Sequence, residues 1–216
     1  MSIILQDISI GYSAPVVSSI DAELLSGTFT CLVGRNGSGK STLLKTIAHL
    51  IKPLGGTMKG GKSVGIVLTS FPPLQNTTVY ELISYGRIPY QDLIATLSAT
   101  DREAIDTAIE TVGIGDFKSR MVHELSDGEK QKVMIARALA QGTDVLLLDE
   151  PSAFLDYPSK MALMQLLSDL AHRQGKAILL STHDVELAMR FSDVIWHING
   201  SRLSVSDPSK FSIDRL

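Results

Sequence analysis

The sequence predicts an α/β fold built on a parallel sheet, and three features carry that prediction. Gly34-Arg35-Asn36-Gly37-Ser38-Gly39-Lys40-Ser41-Thr42 matches a phosphate-binding loop. An apolar, β-prone run, Thr28 to Val33, precedes it, and Leu43, Leu44, Ile47 and Leu50 follow at helical spacing. Val145 to Leu148 is a solid apolar strand that ends in two carboxylates, Asp149 and Glu150. Further strands alternate with amphipathic helices along the chain, the pattern of a parallel sheet covered on both faces.

In chain order, Ile3 to Ile10 and Ile20 to Leu25 alternate as strands do, around a turn from Gly11 to Pro15 that carries Tyr12. After the loop helix, Pro53 and the glycine-rich stretch Gly55 to Gly61 read as a turn, and Val64 to Leu68 as a strand. Phe71 to Thr78 reads as loop and Val79 to Tyr85 as a short helix ending at Gly86. Thr100 and Glu103 have capping-box spacing before Ile105, Ala108, Ile109 and Val112, and Gly113 stops that helix. Ser126 and Glu129 repeat the box for a helix to about Ala140. Met161 to Ala171 is amphipathic, Ala177 to Leu180 a strand, and Asp184 to Arg190 a helix. Val194 to Ile198 and Arg202 to Val205 flank Asn199-Gly200 as a hairpin. The polar tail from Asp207 to Leu216 has no readable pattern.

Composition bounds the function. With 216 residues, 44% hydrophobic and 20% charged, the chain has the size of one domain with a real core. A net charge of -3 argues against a nucleic-acid partner. No apolar run approaches the roughly 20 residues of a membrane span. Met1 to Ile10 lacks the charged start and cleavage site of a secretion signal, and the single Cys31 reads as a small core residue. Together these point to the cytosol. A mean hydropathy of +0.16 leaves room for a buried partner face.

The chemistry is legible in residue types. Glycines let a backbone fold tightly round an anion, so that successive amides and the start of a helix point at it. Lys40 adds a full charge for the β- and γ-phosphates, and the Ser41 hydroxyl, with Thr42 beside it, can ligate Mg²⁺. A strand tip beside such a loop is where a Mg²⁺-holding Asp belongs, so Asp149 takes that role directly or through water. Glu150, pointing the other way from a strand end, can polarise the attacking water. His183, after the apolar strand, faces the ligand end of a parallel sheet and can reach a γ-phosphate. The competing reading of Ser181-Thr182-His183-Asp184 is a helix cap with a bystander histidine. His49, His123, His172 and His197 show no ligand spacing, and no zinc site is expected.

On these motifs, in this order, the chain resembles the nucleotide-binding subunits of ABC transporters over nearly its whole length. Gly34 to Thr42 resembles the Walker A loop, Leu125 to Gln131 the family signature, Val145 to Glu150 the Walker B strand with its catalytic Glu, Ser152 to Asp156 the D-loop, and His183 the switch histidine. The resemblance gives Tyr12 the adenine-stacking role, and Ser126, Asp127, Gly128 and Glu129 contact with the ATP of a partner protomer. It implies ATP and Mg²⁺, a homodimer paired head to tail, membrane permease subunits with a substrate-binding protein for an importer, no nucleic acid, and a place on the cytoplasmic face of the inner membrane. The fold it implies is a phosphate-loop NTPase core plus a small antiparallel β part, together 1–84 and 141–216, and a helical subdomain, about 85–140. Two departures stand out. Asp127 and Glu129 replace the usual Gly and Gln of the signature, bringing negative charge that can tune hydrolysis. The family's Gln after the Val64 strand is absent, and Thr69 or Ser70 stands there, with Gln75 nearby. Gly86 to Tyr90, the Val67-Leu68-Thr69 strand end and Leu125 to Gln141 are most similar to the ATPases of iron(III)-siderophore, haem and cobalamin importers. A soluble ABC ATPase without a transport role, or a transporter of another cargo, remains the alternative. Phe71, Leu74, Tyr80, Ile88 and Tyr90 are greasy for a connector, and that predicts a permease contact there.

Overall fold

A computed structural model describes residues 2–61, 63–69, 76–90 and 96–212. The chain divides into two compact units, one made of Met1–Thr69, Asp144–Ala153 and Tyr157–Leu216, the other of Ser70–Thr143 and Phe154–Asp156.

The first unit holds two sheets. Strands β1 (Ile3–Gly11), β2 (Pro15–Leu24) and β4 (Gly55–Lys59) form an antiparallel sheet in the order β2-β1-β4. Strands β3 (Phe29–Gly34), β5 (Val64–Val67), β6 (Val145–Asp149), β7 (Ala177–Ser181), β8 (Val194–Asn199) and β9 (Arg202–Ser206) form the second, in the order β5-β6-β7-β3-β8-β9. All its pairings are parallel except β8 with β9. Strands β3, β6 and β7 are buried along their whole length. A strand covered on both faces needs apolar residues at every position rather than at alternate ones, which is why they read as solid runs. Helix α1 (Lys40–Ile47) buries Leu43, Leu44 and Ile47 in one core with Ile8 and Ile20 of the antiparallel sheet and with Leu147, Leu179 and Trp196 of the other.

Two expectations fail here for physical reasons. Gly55 to Gly61 is not simply a turn, because its first half is the edge strand β4, paired with β1. The glycines that suggested a turn are what that pairing requires. Asp7 bulges out of β1 with φ 50°, and a Cβ on Gly56 would lie 2.3 Å from the Asp7 carbonyl oxygen. The strand β2 also begins at Pro15, earlier than Ile20, because its first half pairs with Ile10 and Gly11. In the tail, a helical turn, Pro208–Lys210, sets Phe211 edge-on against the His197 ring at 5.4 Å between centroids. Helices α5 (Tyr157–Gln174) and α6 (Val185–Phe191) complete this unit.

The second unit is helical: α2 (Val79–Ser84), a 3₁₀ segment (Tyr85–Tyr90), α3 (Ala99–Val112) and α4 (Asp127–Ala140). The cap of α3 is Ser98 with Asp101, not Thr100 with Glu103. The Ser98 amide and hydroxyl both donate to the Asp101 carboxylate, at 3.0 and 2.6 Å. Arg87 decides the register: its Nε donates to the other Asp101 oxygen at 2.8 Å, and its Nη1 donates to the carbonyl of Ala140 at 2.8 Å. The 3₁₀ segment is thereby pinned to the end of α4 and the start of α3. Among the described residues, no helix is long and apolar enough to cross a membrane.

The Ser98 hydroxyl first, and then Arg87, hold the Asp101 carboxyl down from 3.8 to about 2. A folded pKa below the unfolded one means the carboxylate's stabilisation is complete above pH 3.8 and is lost as pH falls through about 2. Asp101→Asn should therefore unfold at lower urea than the wild type at pH 5, and the gap should narrow between pH 4 and 2. A gap constant across that range would remove Asp101 from the linkage.

Candidate functional site

The carboxyl ends of β5, β6, β7 and β3 lie side by side, so the segments that follow them meet at one edge of the sheet. The loop after β3 turns from Gly34 into α1. A Cβ on Gly34 would sit 2.7 Å from the Ile198 carbonyl oxygen and 2.9 Å from Ser38 Oγ, so only glycine lets the loop close against β8. Ser38 Oγ is buried and has no hydrogen-bond partner among the described residues, an open valence inside the loop. Lys40, the first residue of α1, is 5% exposed; its Nζ donates to the carbonyls of Gly34 at 2.9 Å and Arg35 at 3.3 Å.

Opposite the loop, β6 delivers the two carboxylates. Asp149 is buried and accepts the Ser181 hydroxyl hydrogen at 2.7 Å. Glu150 has left-handed backbone, φ 47°, and its N–H donates to Ser181 Oγ at 2.9 Å and to the Ser181 carbonyl at 3.2 Å. Its carboxylate then lies 3.4 Å from Lys40 Nζ and 3.6 Å from His183 Nδ1. Thr69 donates its hydroxyl to the Asp149 carbonyl at 2.8 Å. A cleft of about 400 Å³ opens over this group, lined by Tyr12, Val16, Lys40, Ser41, Thr69 and Glu150 among others. Its size is that of an ordinary small-molecule site. Tyr12 is 69% exposed at its wall.

So the structure brings together the loop, Asp149, Glu150, His183, Thr69 and Tyr12. Ser70 and Gln75, the other candidates for the missing Gln, lie outside the described residues. Ser181 does not cap α6; Asp184 does, accepting from the Leu187 amide. Sequence reasoning missed Ser181 as a site residue. The sequence shows only that Ser181 closes a run of apolar strand residues; its register with Asp149 comes from the pairing of β6 with β7.

Residues 17–153 match the ABC transporter family. The chain belongs to that family. It is 40% identical over 202 residues to an ABC transporter ATP-binding protein of Methanocaldococcus jannaschii, covering 87% of this chain and 70% of that one. It is 38% identical over 201 residues to the iron(3+)-hydroxamate import ATP-binding protein of Bacillus subtilis, covering 87% and 75%. Its fold is similar to a dimeric bacterial ABC transporter cassette, with a TM-score of 0.82 and 25% identity, over 97% of this chain and all of that one. The protein is an ABC ATPase, an ATP-binding subunit of an ABC transporter.

Leu125 to Gln131, the stretch that resembles the ABC signature, lies in the helical unit. Ser126 caps α4, and Glu129 closes a capping box on it, accepting from the Ser126 amide at 2.7 Å and hydroxyl at 2.8 Å. Arg120 Nη1 reaches the other Glu129 oxygen at 3.4 Å. The Ser126 contacts first, and Arg120 after them, hold the Glu129 carboxyl below its usual range. The carboxylate that departs from the family pattern is thus engaged locally, by the Ser126 hydrogen bonds and by Arg120. Asp127 is exposed, with Lys130 Nζ at 3.5 Å. Asp156 is exposed and belongs to the same helical unit.

Removing the Lys40 charge should weaken ATP binding. Charged hydrogen bonds are worth about 1.5–3 kcal/mol each, so Lys40→Ala should raise the Kd for ATP roughly tenfold or more. Calorimetric titration of a folded variant checks this, and an unchanged Kd would take Lys40 out of the phosphate site.

Proposed function

We propose that this ABC ATPase powers import of iron-siderophore, haem or cobalamin cargo, as a homodimer docked on permease subunits at the cytoplasmic face of the inner membrane, with a substrate-binding protein delivering the cargo. The observation that carries the hydrolytic part is the Glu150 carboxylate held between Lys40 and His183 at the floor of the cleft. Glu150 is the base for the attacking water. Lys40 and the amides of Gly34 to Thr42 hold the phosphates, His183 the γ-phosphate and Tyr12 the adenine.

The donor set fits Mg²⁺. That ion prefers oxygen ligands and keeps several waters, so it asks a protein for only one or two groups beside the phosphates. The Ser41 hydroxyl on the cleft wall and the Asp149 carboxylate at the strand tip would supply them, while the Thr69 hydroxyl is given to the Asp149 carbonyl and would act only through a bound water. When bound, Mg²⁺ neutralises charge on the β- and γ-phosphates.

The homodimer rests on the similar dimeric cassette and on one loop and one signature per chain. In it Ser126 and Gly128, at the start of a helix 14 residues long, approach the ATP of the partner protomer, and Asp156 lines the same interface. The named cargo of the Bacillus subtilis relative and the Gly86 to Tyr90 stretch support the importer branch. Permease contact rests on Ile88 and Tyr90, which are 57% and 53% exposed in the segment that Arg87 pins to α4. Tyr80 is half-buried, and Phe71 and Leu74 lie outside the described residues.

Two variants, reconstituted in liposomes with the permease that co-purifies, separate the parts of this reading. Glu150→Gln should bind ATP but lose about 10²–10⁴-fold in turnover, the usual effect of removing a placed general base. Ile88→Asp should keep the basal ATPase rate and lose ferric-siderophore uptake. Wild-type turnover in the first would reject Glu150 as the base; normal uptake in the second would remove this segment from the permease contact.

A further inference from the structure

We propose that Ser181 is a positioning residue for hydrolysis, setting the Asp149 side chain and the Glu150 backbone with one hydroxyl. The inference rests on the reading of Glu150 as the base. It starts from an outlier. Glu150 is one of four non-glycine residues with positive φ among those described, and the only one of them at the cleft. Left-handed backbone is rare for a residue with a Cβ and persists only where the surroundings hold it.

Ser181 is what holds it. The Glu150 N–H lies in the peptide plane from which that φ is set off, and it is fixed at the end of β7 by both Ser181 Oγ, at 2.9 Å, and the Ser181 carbonyl, at 3.2 Å. The same Oγ lies 2.7 Å from Asp149 Oδ1. The direction of each bond follows from the groups. A carboxylate only accepts, so the single hydroxyl hydrogen points at Asp149, and a lone pair is left for the Glu150 amide. Ser181 has no exposed surface, so water cannot replace either bond. No apolar side chain can make either contact.

One hydroxyl therefore links two adjacent residues of opposite task. Without it, the buried Asp149 carboxylate loses a donor and is free to turn. The Glu150 amide keeps only the longer bond to the carbonyl, and its backbone can relax towards ordinary φ. That rotation carries the carboxylate away from Lys40 and His183. The proposed phosphate contacts come from Lys40, Ser41 and the loop amides, none of which is held by Ser181, so nucleotide binding should suffer less than turnover. The Thr69 hydroxyl bond to the Asp149 carbonyl, at 2.8 Å, braces the strand end from β5 but touches neither carboxylate.

The test compares Ser181→Ala, Ser181→Thr and Ser181→Val in the full chain. Thr and Val have nearly the same shape and differ in the hydroxyl. Misplacing a catalytic group by about 1 Å costs on the order of 10²-fold, so Ala and Val should lower kcat by roughly tenfold or more, with KM for ATP within about threefold, and Thr should restore most of it. Hydrogen–deuterium exchange without nucleotide gives a readout independent of turnover. The peptide holding Glu150 should exchange faster in Ala and Val than in wild type and Thr, with circular dichroism unchanged. Wild-type kcat in Ala and Val, or unchanged exchange at Glu150, overturns the proposal. So does an equal loss in Thr and Val, which would mean packing alone. Glu150→Gln, measured alongside, distinguishes the two failures: if it too retains turnover, the assignment of the base has failed rather than that of Ser181.

Discussion

The contact between Lys40 and Glu150 is the constraint from which the rest of the site follows. Lys40 begins α1 and Glu150 directly follows β6, more than a hundred residues later. The two meet at 3.4 Å only because β6, β7 and β3 are adjacent and parallel, so that their carboxyl ends share one edge. Parallel strands need both faces covered, and β3, β6 and β7, buried along their whole length and largely apolar, meet that need. The core thus serves the ion pair: it sets the height at which the loop and the two carboxylates emerge. Lys40 Nζ is nearly buried and already has two carbonyls and a carboxylate as partners. Triphosphate oxygens are the natural replacement for that carboxylate, and Glu150, once released, is left beside His183 with a free face for water.

The helical unit obeys a different economy, based on helix termini. Among its described residues, each of the three α-helices begins with a reciprocal capping box, Thr78 with Glu81, Ser98 with Asp101 and Ser126 with Glu129. A cap satisfies amides that a helix leaves bare, and it also sets where the first turn points. At α4 the cap belongs to the stretch that resembles the signature. Glu129 therefore has a structural task that Gln could share, and Arg120 offsets its charge. Arg87 ties the 3₁₀ segment to the last turn of the same helix, so a force on Ile88 or Tyr90 bears on the helix whose first residues are the signature. The two ends of α4 thus carry the two groups of residues through which a permease and a nucleotide are proposed to communicate.

Much of this was legible in the sequence, where the determinants are local. The loop, the Val145 to Glu150 strand and the Ser126 cap each depend on neighbours within a few residues. The misses share one cause, a partner far along the chain. The strand β4 reads as a turn because its glycines answer to the bulge at Asp7. The α3 cap moves to Ser98 and Asp101 because Arg87, 14 residues before Asp101, secures that carboxylate. Ser181 looks like a helix cap until β7 is placed beside β6. Tyr12 could be set near the loop by resemblance, yet only the fold puts it on the cleft wall. The backbone of Glu150 has no sequence signal at all, since nothing in Leu148-Asp149-Glu150-Pro151 announces a left-handed residue.

The central claim is that ATP takes the place of Glu150 at Lys40. A crystal structure of the protein with ATP bound, in the Glu150→Gln variant to prevent turnover, measures it directly. The account predicts phosphate oxygens at hydrogen-bond distance from Lys40 Nζ, with the residue 150 side chain withdrawn beyond contact from that nitrogen and still beside His183. ATP seated in the cleft with the Lys40 contact to residue 150 kept near 3.4 Å, and no phosphate on Lys40, would contradict it.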